Sequence, residues 1–218
     1  MTVAGAPADK PSRLVAPDET LQLAGQGPRF VSRGGDKLDA ALDRFGIDVG
    51  GRRVLDAGAS TGGFTDCLLQ RGAAHVAAVD VGRAQLHERL RRDPRVTVLD
   101  RTNVRQLTLE AVGGQPFELV TADLSFISLR TVAASLVDMA AEGADLILLV
   151  KPQFEAGRAE ASRGRGVIRD VGVWDRVVGE VAAAYGELGA AMMDTVRSPI
   201  TGAEGNVEFF LHLRKAGR

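Results

Sequence analysis

The chain has 218 residues, of which 45% are hydrophobic and 25% charged, and its formal net charge is -1 at pH 7. These values are typical of one large globular domain or of one domain with an appendage, and they give no global signature of a nucleic-acid-binding protein. The apolar run Leu146–Val150 is far too short to cross a bilayer. The chain does not open with a basic segment followed by an apolar one, so we expect no secretory signal. The single cysteine, Cys67, excludes an internal disulfide framework, and the three histidines show no metal-ligand spacing. We therefore expect a cytoplasmic protein that binds no metal.

Residues 1–30 are rich in proline, glycine, alanine and charge, and they hold too few apolar positions to form a core of their own. The pattern changes at Arg33, where apolar residues recur at helical spacing from Leu38 to Phe45, with Asp36 as the expected N-cap. Short apolar runs then alternate with helical patterns, which predicts βαβ units with helices on both faces of a mainly parallel sheet. The predicted strands are Arg53–Ala57, His75–Asp80, Val96–Asp100, Phe117–Asp123 and Asp145–Lys151, and the predicted helices are Gly63–Gln70, Arg83–Arg91, Leu129–Ala141 and Trp174–Leu188.

Two further runs, Ala191–Val196 and Asn206–Leu213, predict strands joined by a connection too short for a crossover helix. They should therefore pair in antiparallel orientation. Together the patterns predict an α/β fold, with a doubly wound, Rossmann-like, mostly parallel seven-stranded sheet and a C-terminal antiparallel hairpin. We assign residues 31–218 to this domain and residues 1–30 to an N-terminal segment and linker.

The turn after the first strand of this domain, in the segment VLDAGASTGGFT, is unusually rich in glycine and small residues. Ligands of open α/β sheets bind at the carboxyl ends of the strands, so the backbone is expected to approach a ligand closely here. The spacing of a dinucleotide fingerprint falls on Gly58, Ser60 and Gly63, so the middle glycine is missing, and no P-loop lysine follows. A ligand without phosphates, such as S-adenosylmethionine (SAM), fits this turn better than NAD does.

Acidic residues near this turn support a SAM site. Asp56 precedes the turn and is placed to face the ammonium group of the cofactor. Asp80 ends the next strand, about 20 residues after the glycines, where an acid commonly binds both ribose hydroxyls. Asp100, Thr102 and Asn103 follow the third strand and are candidates for the adenine edge. The predicted cofactor-binding residues are Asp56, Gly58, Ala59, Ser60, Thr61, Gly62, Gly63, Phe64, Asp80, Val81, Asp100, Thr102, Asn103 and Asp123.

Lys151 ends an apolar strand and precedes Pro152, so its side chain is expected to be partly buried at the rim of the ligand site. A lone lysine at the end of a strand is more often a snorkelling side chain than a catalytic group. Asp123 ends the neighbouring strand at the same edge, and this second charged side chain favours a functional role. Burial and a nearby second cation lower the pKa of a lysine towards the range that suits a base.

Eight segments spread over residues 31–214 form a recognisable set: FVSRGGDKLDAAL, LDAGASTGGFTDCLL, VAAVDVG, VTVLDRTNVR, LVTADLSFISL, LILLVKPQFEAG, GVIRD and GNVEFFLHLR. Almost without gaps, they resemble the TlyA (hemolysin A-like) family of RNA 2'-O-methyltransferases, which are related to the FtsJ/RrmJ methyltransferases. The resemblance implies a SAM-dependent methyltransferase fold that acts on ribosomal RNA or ribosomal subunits, with cytidine as the modified nucleoside. The N-terminal segment is similar to the end of the S4 RNA-binding domain that precedes the catalytic domain in this family.

The resemblance also implies a Lys-Asp-Lys-Glu tetrad, which falls on Lys37, Asp123, Lys151 and Glu208. We interpret Lys151 as the general base, and Asp123 as its orienting partner and a contact to the methionine end of the cofactor. Lys37 and Glu208 are expected to tune Lys151 and to hold the ribose. Phosphates of the RNA are expected to bind basic residues near the site, namely Arg29, Arg33, Arg158, Arg163 and Arg165.

Three other classes of function are weighed against this hypothesis. The family's name suggests a membrane-active hemolysin, but the sequence shows no spanning segment, no signal and no long cationic amphipathic helix. A non-catalytic RNA-binding or ribosome-assembly protein would keep the fold, and the complete tetrad disfavours it. Ser60 disfavours an NAD-dependent oxidoreductase.

Overall fold

A computed structural model of the chain describes residues 2–8, 10, 12–22, 27–157, 160 and 166–217. Near its start, three short strands form a small antiparallel sheet in the order β2-β1-β3. These strands are β1 (Thr2–Val3), β2 (Ala6–Pro7) and β3 (Leu21–Gln22). This sheet lies within the segment that was predicted to be a linker with a partial RNA-binding domain.

The larger sheet has seven strands in the order β6-β5-β4-β7-β8-β10-β9. They are β4 (Arg53–Ala57), β5 (His75–Val79), β6 (Val96–Leu99), β7 (Phe117–Ala122), β8 (Ala140–Val150), β9 (Ala190–Arg197) and β10 (Phe209–Lys215). The neighbours from β6 to β8 pair in parallel, whereas β10 is antiparallel to both β8 and β9. The predicted mostly parallel sheet with an antiparallel C-terminal hairpin is therefore confirmed.

Helices cover both faces of this sheet because successive strand residues point to opposite sides. The helices are α1 (Arg33–Phe45), α2 (Gly63–Gln70), α3 (Glu88–Arg91), α4 (Ala133–Met139), α5 (Pro152–Glu155) and α6 (Val171–Gly186). Val54 and Leu119 pack with α1 and α2 in one apolar cluster, whereas Leu55 and Val120 pack with α4 and α6 in the other. None of the helices in the described part of the chain has the length and apolarity of a transmembrane segment.

The start of α1 differs from the prediction. Ser32 is the N-cap, and Asp36, which was predicted to have this role, lies in the first turn of the helix. Gly34 and Gly35 lie between these two residues, and glycine is a poor helix former, so local propensity disfavours the earlier start. Close packing explains the presence of Gly35, because a Cβ atom there would lie 2.3 Å from the ring of Phe30.

Other predicted elements also have different bounds: α6 spans Val171–Gly186 instead of Trp174–Leu188, and β8 begins at Ala140 instead of Asp145. The helix predicted over Arg83–Arg91 is reduced to α3, and Ala84 has a left-handed backbone with φ of 52° that interrupts the helical geometry. The helix predicted to reach Ala141 ends at Met139, and β8 begins directly after it. The register between β7 and β8 shifts near the start of β8, where Gly143 has φ of 73°.

Candidate active site

The order of the strands reverses at β4, which lies between β5 and β7, and such a switch point is where open α/β sheets bind ligands. The turns after β4 and β7 touch each other there. A Cβ atom on Gly58, whose φ is 85°, would lie 2.4 Å from the carbonyl oxygen of Asp123 and 3.0 Å from the side chain of Leu124. The lack of a side chain at this position was expected to leave space for a ligand, but the backbone that follows β7 occupies this space. Gly58 is thus required by the packing of the two turns.

A cavity of about 440 Å³ opens at this edge of the sheet. Among the predicted cofactor residues, those that line it are Gly58, Ser60, Asp80, Val81, Asn103 and Asp123. Sequence reasoning missed Gln85, Val104, Val132 and the run 124–127, which also line it. The run follows Asp123 directly at the end of a strand, and this position was the signal that could have identified it.

Asp80 is held rigidly at the edge of this cavity. Its Oδ2 accepts a hydrogen bond from the backbone N–H of Ser60 at 2.8 Å, and its Oδ1 accepts one from Gly82 N–H at 2.7 Å. Ser60 has φ of 47°, so the left-handed turn directs its N–H towards the carboxylate. A carboxylate oxygen has further lone pairs, which leaves acceptor capacity for the hydroxyls of a ligand.

A second cavity of about 230 Å³ lies beside the first, and Gly58, Ser60 and Asp123 line both. Its other lining residues are Ser32, Arg33, Gly34, Lys37, Ala59, Thr61, Gly63 and Phe64. The second cavity therefore brings the start of α1 next to the glycine-rich turn. Gly63 permits this contact, because a Cβ atom there would lie 2.2 Å from Ser32 Oγ.

The structure arranges the predicted tetrad as two ion pairs. Lys151 Nζ lies 2.6 Å from Asp123 Oδ1 and also donates a hydrogen bond to Ser125 Oγ at 3.0 Å. Lys37 Nζ donates to Glu208 Oε2 at 2.6 Å. The side chains of Lys151, Lys37 and Glu208 are only 11%, 12% and 3% exposed, so these charges are largely removed from water.

Glu208 comes from the segment just before β10, and the connection that precedes it is shaped to receive its side chain. Gly202 lies against the carboxylate, and a Cβ atom there would be 2.3 Å from Glu208 Oε1. Gly202 also donates its N–H to the carbonyl of Asn206 at 2.8 Å. Sequence reasoning treated this connection only as a link between two strands.

Asp56 lies below the turn instead of in either cavity. It is fully buried, and its carboxylate accepts hydrogen bonds from Thr65 Oγ1 at 2.6 Å and Thr121 Oγ1 at 3.3 Å. Burial raises the pKa of Asp56 to about 7, and the negative charge of Asp123 acts in the same direction. The predicted contact with the ammonium group of a cofactor does not agree with this position. Asp56 instead joins the first turn of α2 to β4 and β7.

The three candidates for the adenine edge make different contacts in the structure. Asp100 forms an ion pair with Arg91 at 2.8 Å, which lowers the pKa of Asp100 and turns its charge towards α3. Thr102 donates its hydroxyl to the carbonyl of Asp100 at 3.2 Å. Asn103 caps a short helical turn through Arg105 N–H, and it is the only one of the three candidates that lines the cavity.

Of the predicted RNA-binding arginines, the structure describes Arg29 and Arg33. Arg33 lines the second cavity. Arg29 is ion-paired with Asp39, and its guanidinium lies 4.6 Å from the ring centroid of Phe30. These contacts assign Arg29 a role in fixing the chain to α1. Arg158, Arg163 and Arg165 lie outside the described residues.

Comparison with known proteins gives the following similarities. The pattern of the FtsJ-like methyltransferase family matches residues 30–215. The 16S/23S rRNA (cytidine-2'-O)-methyltransferase TlyA of Mycobacterium tuberculosis is 53% identical over 211 residues, which are 96% of this chain and 78% of that protein. A solved structure from Streptococcus thermophilus, described as a hemolysin, is 40% identical with a TM-score of 0.84, over 91% of this chain and 71% of that chain. N-methyltransferase NodS from Bradyrhizobium japonicum, solved with S-adenosyl-L-homocysteine, shares the fold with a TM-score of 0.59 and 17% identity, over 83% of this chain and 86% of that chain.

Proposed function

The chain belongs to the FtsJ-like methyltransferase family, and on this premise we propose that it methylates the ribose 2'-hydroxyl of a cytidine in ribosomal RNA. The enzyme class and SAM as the cofactor follow from the family and from the methyltransferase fold. The RNA substrate is supported by the identity of 53% to an rRNA (cytidine-2'-O)-methyltransferase over 96% of this chain. The observation that carries the proposal is the ion pair between Lys151 and Asp123, in which Asp123 lines both cavities.

The larger cavity suits SAM. Asp80 offers carboxylate oxygens to the ribose hydroxyls, Val81 and Asn103 offer apolar and polar contacts for the adenine, and Asp123 lies where the two cavities join. The volume of about 440 Å³ is within the range of pockets that enclose small cofactors. When bound, SAM supplies a methyl group that is already activated on a sulfonium centre. We assign the smaller cavity, with Arg33 and Lys37 on its wall, to the acceptor nucleotide.

We assign Lys151 the removal of the proton from the ribose hydroxyl. A charged lysine has three N–H donors, and a neutral amine has two donors and one lone pair. Lys151 Nζ donates a hydrogen bond to Ser125 Oγ and lies 2.6 Å from Asp123 Oδ1, and these two contacts direct the amine. We assign the lone pair of the neutral amine the role of accepting the proton of the substrate. The ion pair with Asp123 fixes the direction of the side chain.

Lys37 and Glu208 serve the acceptor side of the site. Their ion pair is buried, so the carboxylate holds the lysine in one direction next to the second cavity. A cation at this position attracts the ribose and phosphate oxygens of RNA, and Arg33 adds a second cation. Both roles orient the substrate and do not require proton transfer.

RNA affinity is expected to depend on more than the site itself. We assign residues 31–218 to the methyltransferase domain and residues 1–30 to a partial S4-like segment and linker, and the small antiparallel sheet at the start of the chain supports this division. Arg158, Arg163 and Arg165 remain candidates for contacts with phosphates. A substrate of this kind also implies that the protein acts in the cytoplasm.

The test is to incubate the purified protein with SAM and with unmethylated ribosomal subunits or free rRNA, followed by mass-spectrometric mapping of 2'-O-methylated nucleotides. We expect 2'-O-methylcytidine at a defined position, with Asp80→Ala as a control that weakens SAM binding. Binding of SAM without methylation of any rRNA substrate would contradict the proposed substrate. Lysis of liposomes by the pure protein in the absence of methylation would support the hemolysin hypothesis instead.

A further inference from the structure

Two segments that follow neighbouring strands carry the chemistry of the site. Residues 123–129 follow β7, and residues 151–155 follow β8 and include α5. Next to the cavity, Lys151 of the second segment contacts Asp123 and Ser125 of the first. The other contacts between the two segments, farther from the cavity, therefore determine where the lysine amine lies.

Glu155 forms the contact between the two segments that lies farther from the cavity. It is 4% exposed, and its carboxylate accepts hydrogen bonds from Ser128 Oγ at 2.5 Å and from the backbone N–H of Leu129 at 2.7 Å. Arg130 lies 3.6 Å from the same carboxylate and donates to the backbone carbonyl of Glu155 at 2.8 Å. Burial raises the pKa of Glu155, and the hydrogen bonds from Ser128 and Leu129 oppose this effect. A buried carboxylate with these partners fixes one segment to the other in a single geometry.

The connection from Glu155 to Lys151 is short and direct. Glu155 N–H and Phe154 N–H lie 3.3 Å and 2.9 Å from the carbonyl oxygen of Lys151, which closes α5 as a single turn. An isolated turn of this length is not stable without tertiary contacts. The ring of Phe154 contacts that of Phe126 with 5.1 Å between centroids, which is a second link between the segments. A shift of Glu155 is therefore transmitted to the backbone of Lys151.

We propose that Glu155 is a positioning residue for methyl transfer, because its buried carboxylate locks α5 against Ser128 and Leu129 and so holds Lys151 against Asp123 and Ser125. This inference rests on the proposed function, in which Lys151 receives the hydroxyl proton. Misplacing a reacting group by 1 Å can cost a reaction about 100-fold in rate. Glu155 acts through Lys151 and does not itself touch the reacting atoms.

The experiment compares Glu155→Gln and Ser128→Ala with Glu180→Gln as the matched control. Glu180 binds the same Arg130, at 2.8 Å, from the partly exposed surface of α6. For each variant we would measure the single-turnover rate of methyl transfer, the affinities for SAM and RNA, and the thermal unfolding temperature. Hydrogen exchange of a peptide covering 151–157 gives a readout that does not depend on activity.

We expect Glu155→Gln to lower the single-turnover rate roughly 10- to 100-fold while changing the SAM and RNA affinities less than about threefold. Ser128→Ala should lower the rate roughly 3- to 10-fold, and the double variant should be no slower than Glu155→Gln, since both changes affect the same hydrogen bond between Ser128 and Glu155. Exchange of the 151–157 peptide should become faster in both variants and stay unchanged in Glu180→Gln.

Specific outcomes would overturn the inference. One is a folded Glu155→Gln protein with the wild-type rate of methyl transfer and the wild-type hydrogen exchange. Another is an equal loss of rate in Glu180→Gln, because the effect would then come from the ion pairs of Arg130. If Glu155→Gln does not fold, a folded Ser128→Ala protein with unchanged rate and exchange decides against it. If the wild-type protein methylates no rRNA, the proposed function fails, whereas the exchange measurement still tests the lock on α5.

Discussion

Replacing Asp56 with asparagine should change how the stability of the fold depends on pH. Burial raises the pKa of Asp56 from its ordinary value of 3.8 to about 7. Between these values the folded protein binds the proton more tightly than the unfolded chain does, so this carboxyl lowers the stability as the pH rises. Asparagine has the same shape and no charge, and the variant should lack this pH-dependent loss.

The size of the effect follows from the two pKa values. A tenfold change in the protonation equilibrium is worth about 1.4 kcal/mol. Above pH 8 the buried Asp56 carboxyl therefore lowers the free energy of unfolding by its full penalty, which is roughly 4 kcal/mol. At pH 5 the unfolded carboxyl is already ionised, and the penalty there is roughly 1.5 kcal/mol. The stability of Asp56→Asn relative to the wild type should therefore increase by roughly 2 to 3 kcal/mol between pH 5 and pH 8.

The assay is urea unfolding of both proteins at several pH values from 5 to 8, with Asp138→Asn as the control. Asp138 is an exposed acid on α4, so its replacement should leave the pH dependence unchanged. Parallel stability curves for Asp56→Asn and the wild type would refute the reasoning. They would mean that the ionised carboxyl is tolerated in the core, for example through its contacts with Thr65 and Thr121.

Three further predictions concern single side chains. Gly58→Ala should lower the thermal unfolding temperature and weaken SAM binding in a titration, because its Cβ would meet the carbonyl oxygen of Asp123 at 2.4 Å. Gly114→Ala, which has a similar positive φ but no neighbour within 4 Å, should cost only about 1 to 2 kcal/mol in urea unfolding and leave SAM binding intact; equal effects of the two changes would refute the packing argument. Lys151→Arg should bind SAM normally yet lose about 100-fold or more in the single-turnover rate, since guanidinium stays protonated; an active variant would exclude a base role. Burial alone would raise the pKa of Asp145, but hydrogen bonds from His212, Arg52 and Arg214 outweigh it and hold this pKa well below its usual range. Asp145→Asn should therefore destabilise the fold at pH 7 by roughly 3 kcal/mol and progressively less below pH 4, which urea unfolding would show; a constant difference across this range would contradict it.

Local patterns were sufficient to predict much of the fold. The bounds of β4 and α2 agree with the prediction, because a short apolar strand, a turn of glycines and a helical pattern follow one another without ambiguity. The failures occur where tertiary contacts override local preference. Gly35 at the start of α1 packs against Phe30, and the left-handed backbone of Ala84 shortens the helix predicted over Arg83–Arg91 to α3.

The candidate site was predictable only in part, and for a similar reason. The rule that ligands bind at the ends of strands placed Asp80, Asp123 and Lys151 at one edge of the sheet, and the first two of these line the larger cavity. The same rule misplaced Asp56, because a strand residue just before the turn points into the core when its neighbours in the sheet bury it. Nothing in the local sequence joins Lys37 to Glu208, which only the resemblance connected and the structure pairs at 2.6 Å.

The position of β10 in the sheet has a consequence for the order in which the site is assembled during synthesis. β10 follows β9 in the chain yet lies between β8 and β9, and Glu208 just before it reaches back across 171 residues to Lys37. Contacts of such long range form late, because closing a long loop costs entropy before the contact is made. A nascent chain that has emerged only as far as β9 already contains the glycine-rich turn, Asp80 and the Lys151–Asp123 pair. It still lacks the partner of Lys37, so the acceptor side of the site is completed only after β10 inserts between its neighbours.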